Sequence, residues 1–163
     1  MMTNAKKIIF AICVAYLSVS CAQKREPFKI NQKELIDLIE NDSYRETFIE
    51  KWSLEPCYQD EQSSRFCYSD SFITFETISK EGFILSINNF PFTDPNDLVE
   101  GLKQSFESKN IASLEGYDKF LEGYGMTNGE YLYNNEYEVI ITWKGNGGGN
   151  NSVCVITVNQ VLE

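Results

Sequence analysis

The sequence predicts an α+β fold: an antiparallel sheet of about five strands, with N-terminal helices and one central helix packed on one face. Three observations support it. Apolar residues recur at three-to-four spacing in residues 31–52 and again from Pro95 to Phe106. Residues 72–90 and 130–161 hold short β-branched and aromatic runs separated by turn formers. Strands grouped by hairpins, with helices between the groups, form antiparallel sheets.

Asn31 followed by Glu34 is a helix start, and Leu35, Ile36, Leu38 and Ile39 supply the apolar stripe. Ser43 followed by Glu46 reads as a capping box for a second helix, in which Tyr44, Phe48 and Trp52 recur every four residues. Between these helices and the first hairpin lies a polar loop, Tyr58 to Phe66, bracketed by Cys57 and Cys67. Phe72 to Ile78 and Phe83 to Phe90 are strands joined through Ser79-Lys80-Glu81-Gly82, whose glycine suits a hairpin bulge. Thr93-Asp94-Pro95 opens the central helix with proline in its first turn; Leu98, Leu102 and Phe106 form one face, and Asp97, Glu100, Gln104 and Glu107 the other.

Between Ser113 and Gly125, Leu-Glu-Gly-Tyr occurs at 114–117 and again at 121–124. The seven-residue offset returns to nearly one helical face, but the internal glycines weaken a helix, so one short helix or two turns is expected. Glu130 to Tyr133 and Glu136 to Lys144 flank a tight turn at Asn134-Asn135, with Tyr137, Val139, Ile141 and Trp143 alternating on one face. The loop Gly145 to Asn151 leads into a last strand, Val153 to Val161. That loop joins strand to strand, whereas a glycine-rich phosphate cradle leads into a helix, so a hairpin tip is expected.

The amino terminus carries Lys6 and Lys7 ahead of an apolar run from Ile8 to Leu17, the order of a secretory signal peptide. The run is shorter than the roughly 20 residues a membrane-spanning helix needs. Leu17-Ser18-Val19-Ser20-Cys21 follows, which resembles the lipobox of bacterial lipoproteins. The resemblance covers the leader alone and implies cleavage before Cys21, lipidation of that cysteine and anchorage to a membrane. The leucine stands one residue earlier than in the usual lipobox, and Ser18 and Ser20 also satisfy an ordinary signal peptidase, so secretion with an unmodified Cys21 stays open. The expected organisation is a signal peptide at 1–20, a lipidated cysteine and tether at 21–30, and a single domain at 31–163.

Removing residues 1–20 takes away two of the fourteen basic residues and none of the twenty-four acidic ones, leaving a mature charge of −12. Such a surface repels nucleic acid and favours a cationic protein or peptide. There is no histidine, which removes imidazole triads and most zinc and copper sites. No cofactor and no metal is expected. In an oxidising envelope Cys57 and Cys67 are expected to form a local disulfide, and Cys154, inside Val153-Cys154-Val155-Ile156, to be a small buried hydrophobe.

Five of the nine tyrosines fall between residues 117 and 137. Tyrosine offers rigid amphipathic contact area, although it is also an ordinary strand residue. Glu115, Asp118 and Glu122 are spaced three and four apart and would share a helical face. Tyr117, Tyr124, Tyr131, Glu115, Asp118 and Glu122 are therefore the candidate partner-binding residues, with the plainer meaning of a solvated acidic face beside them. The leading expectation is a non-enzymatic envelope lipoprotein that binds a protein or peptide, with an immunity or inhibitor protein as a narrower version. A carboxylate-dependent hydrolase of envelope glycan and a structural or assembly subunit are the alternatives.

Overall fold

The computed structural model describes residues 26–68, 72–78, 82–114, 117, 121, 125–145 and 152–161. The leader, Cys21 and residues 22–25 of the tether lie outside these residues. So do Ser79 to Glu81 of the first hairpin turn and most of the Gly145 to Asn151 loop.

Asn31 begins helix α1 (Gln32–Glu40) with a full capping box: its Oδ1 accepts the Glu34 amide at 2.9 Å while its own amide donates to the Glu34 carboxylate at 3.1 Å. Helix α2 (Asp42–Lys51) follows after one residue. The expected cap at Ser43 is corrected to Asn41, whose Oδ1 accepts from both the Ser43 amide (3.1 Å) and the Ser43 hydroxyl (2.7 Å). Asn41 thus ends one helix and begins the next, leaving Ser43 inside the first turn.

Helix α3 (Pro95–Leu102) starts at Asp94, whose carboxylate accepts the Asn96 amide at 2.9 Å. It is shorter than expected. The chain turns at residues 103–105, so Phe106 enters the core from a non-helical position and Glu107 begins a strand.

The sheet holds eight antiparallel strands, not about five. They are β1 (Glu55–Gln59), β2 (Ser63–Tyr68), β3 (Ile73–Ile78), β4 (Gly82–Asn88), β5 (Glu107–Asn110), β6 (Asn128–Tyr133), β7 (Tyr137–Lys144) and β8 (Val153–Gln160), in the order β1-β2-β3-β4-β8-β7-β6-β5. The unforeseen strands are β1, β2 and β5. The expected polar loop is largely the β1–β2 hairpin, and the Cys57–Cys67 disulfide ties its two strands beside a bulge between Pro56 and Tyr58. Both edge strands, β1 and β5, are exposed along their length and lack the apolar alternation that marks a half-buried strand. Short, charged or proline-bearing edges of this kind resist pairing with other chains.

One sheet face carries Ile73, Phe75, Phe83, Leu85, Ile87, Leu132, Val139, Ile141, Cys154, Ile156 and Val158, all buried. The helices cover this face, but as a bundle: α1 packs against both α2 and α3, and α3 leans on β7. Phe48 of α2 reaches Phe75 (ring centroids 5.4 Å apart), and the buried guanidinium of Arg45 lies 5.4 Å over Phe83. Arg45 also pairs with Asp42 at 3.0 Å. The chain before Asn31 already belongs to this layer, because Phe28 is fully buried and bridges in parallel to Phe92. Cys154 is buried as expected, and burial pushes its thiol up to about 12, which makes it unreactive at physiological pH.

Candidate functional site

Pairing register lines up one residue from every strand on the other sheet face. The row runs Tyr58, Arg65, Glu76, Ile84, Thr157, Ile140, Tyr131, Lys109. Ile84 and Ile140 make its centre aliphatic. Towards β1 the row is closed by an Arg65–Glu76 ion pair at 2.6 Å, with the same guanidinium 5.9 Å over the Tyr58 ring.

At the other end, β5, β6 and β7 build an aromatic and acidic patch. Tyr131 and Tyr133 stand two residues apart on β6, so both point to this face. Their rings stack with centroids 5.3 Å apart and planes 25° apart. Each phenol donates to a carboxylate on a neighbouring strand: Tyr131 to Glu138 at 2.6 Å, and Tyr133 to Glu107, its direct cross-strand partner, at 2.7 Å. Lys109 Nζ sits 4.9 Å over the Tyr133 ring, a cation on the negative face of the aromatic system. Burial, followed by the bond and charge of Glu138, pushes the Tyr131 phenol up to about 12, with Tyr117 close enough to add to the effect. Tyr131 is therefore a neutral hydrogen-bonding group at any physiological pH.

Of the residues singled out from sequence, Tyr131 lies in this patch and Tyr117 lies near it. Tyr124, Glu115, Asp118 and Glu122 are outside the described residues. Tyr137 faces the opposite, helix-covered side and packs on the core. The carboxylates that the structure brings to the tyrosines are Glu107 and Glu138, which sequence reasoning missed. In sequence Glu107 extends the polar face of the central helix, and Glu138 lies between Tyr137 and Val139 in the alternation, so its outward direction is the available signal.

The segment after β5 also comes to this face. The 3₁₀ turn Ile111–Ser113 places the fully buried Ile111 over β6, where Gly129 has no side chain to obstruct it. A Cβ on Gly129 would collide with Ile111 Cγ2.

A groove of about 640 Å³ lies between residues 27–32 and the start of α3. Most of its polar groups are already committed to the fold. Asn31 caps α1, Gln32 donates to the Gly101 carbonyl at 2.7 Å, and the Thr93 hydroxyl accepts the Ile30 amide at 3.1 Å. Lys29 and Asp97 remain as its charged groups. Among the described residues there is no cluster of three or more potential metal ligands, and no helix is long and apolar enough to cross a membrane. No family model matches the chain, and no curated protein or solved structure matches it.

Proposed function

We propose that this protein is an exported, envelope-anchored lipoprotein, held through Cys21, whose acidic domain binds a cationic protein or peptide without catalysing a reaction. The carrying observation is the β5–β7 face, where two stacked tyrosines are each bonded to a carboxylate and one already holds a lysine over its ring. A basic partner would displace Lys109 from Tyr133, lay its own lysine or arginine there, and draw on Glu107 and Glu138 for ion pairing. The mature charge of −12 would speed the encounter by steering. An immunity or inhibitor protein is the narrower form of this reading.

The groove beside α3 does not favour the hydrolase reading. Acid-pair glycan hydrolysis needs two carboxyl groups about 5 to 10 Å apart across a cleft. Among the described residues, the groove beside α3 carries one carboxylate, Asp97.

Affinity isolation from the native envelope tests the proposal. Wild-type protein is expected to recover one discrete basic protein, and Tyr133→Ala with Glu107→Gln to lose most of it. Equal recovery by both, or no specific partner after crosslinking, would overturn it.

A further inference from the structure

A pocket of about 260 Å³ opens between the end of α2 and the neighbouring ends of β2 and β3, walled by Trp52, Tyr68, Ile73 and Phe90, with Glu26 as its charged residue. Tyr68 and Phe90 meet edge to face, with ring centroids 5.7 Å apart and planes at 80°. Trp52 is braced from within by Phe28, with centroids 4.3 Å apart. Its Nε1 is buried with no hydrogen-bond partner among the described residues.

We propose that this pocket receives the alkylammonium side chain of a lysine from a cationic partner. The volume is below the roughly 300–1,000 Å³ of small-molecule sites and suits one side chain. Aromatic and aliphatic walls would cover the four-carbon stem, while the Glu26 carboxylate would meet the ammonium. The ammonium would lie on the Glu26 side of the pocket, since Lys51 Nζ already lies 5.3 Å over the Trp52 ring.

The proposal rests on the cationic-partner reading but uses residues distant in the fold from the β5–β7 face, so separate variants distinguish the two. The test is titration of the ¹⁵N-labelled mature protein with Nα-acetyl-lysine N-methylamide, following the indole N–H signals of its two tryptophans, Trp52 and Trp143. The Trp52 signal, assigned with Trp52→Phe, is expected to shift saturably while Trp143 stays in place. The neutral norleucine analogue is expected to give no shift, and Glu26→Gln, at an exposed position, to weaken binding at least fivefold. Tyr131→Ala with Tyr133→Ala is expected to leave this binding unchanged. No saturable shift, an equal response to norleucine, an unaffected Glu26→Gln variant, or a stronger response to phosphoethanolamine would overturn the proposal. The β5–β7 face would still stand if its own variants alone lost the basic partner.

Discussion

Tyr133 and Glu107 face each other across the β5–β6 ladder, and the phenol donates to the carboxylate at 2.7 Å. This bond joins an edge strand of wholly polar sequence to the aromatic end of the outer row. It turns Glu107-Ser108-Lys109-Asn110 from a solvated stretch into one wall of a surface that already holds a cation.

Tyr131 should be the late-titrating phenol of this patch. Its value is raised to about 12 by burial and Glu138, against roughly 10 in an unfolded chain. The folded state therefore holds that proton more tightly. The associated stability is complete below about pH 10 and is lost as pH rises towards 12. Difference absorbance titration of wild type against Tyr131→Phe is expected to remove a phenol ionising near 12, and Glu138→Gln to bring that phenol down. Loss of a phenol titrating near 10 would contradict the geometry.

The Cys57–Cys67 disulfide closes a short loop, with ten residues of sequence separation. Replacing both cysteines by serine should cost up to about 3 kcal/mol by loop entropy. Thermal denaturation is expected to show a fall of about 10 °C. Hydrogen exchange should rise first in β1 and β2, the exposed end of the sheet. Faster exchange beginning in β7 or β8 would contradict this.

Gly129→Ala should cost about 1–3 kcal/mol through overpacking, because its Cβ would collide with Ile111 Cγ2 and press on Thr142 Cγ2 at 3.2 Å. In an Ile111→Ala background the same substitution is expected to cost markedly less. Denaturant unfolding of the four proteins in that cycle measures the coupling, and strict additivity would show that the two residues do not meet.

The central strands were legible in sequence because burial writes itself as alternation: Val139, Ile141 and Trp143 inward, Glu138 and Ile140 outward. The edges were not. Glu55-Pro56-Cys57-Tyr58-Gln59 and Glu107 to Asn110 bury no face, so they carry no period to read, and their strand state comes from pairing with β2 and β6. Ser43 and Glu46 carry the better capping pattern in sequence, whereas the tight α1–α2 junction favours Asn41, a residue able to serve both ends. Tyr131 was found as a tyrosine among tyrosines. Its partner Glu138 was legible only as an outward-pointing residue of the alternation, and Glu107 was not legible at all, since it lies twenty-six residues from Tyr133 and the ladder alone brings them together.

If the proposed anchorage runs through Cys21, Cys21→Ala is expected to move the protein from the membrane fraction to the soluble envelope fraction or to block its processing. Intact mass of the membrane-bound wild type should show acyl chains on a chain beginning at Cys21. A mature mass without acylation would remove the anchor and leave export in place.

The account stands most directly on which end of the outer row meets the partner. A photo-crosslinking residue placed at the exposed Asn135 beside Tyr133, or in a separate variant at the exposed Tyr58 across the same sheet, would report this. The expected result is one discrete crosslinked basic protein from position 135, weakened by Glu138→Gln, and none from position 58. Equal crosslinking from both positions, or none from 135, would contradict the assignment of the β5–β7 face as the binding surface.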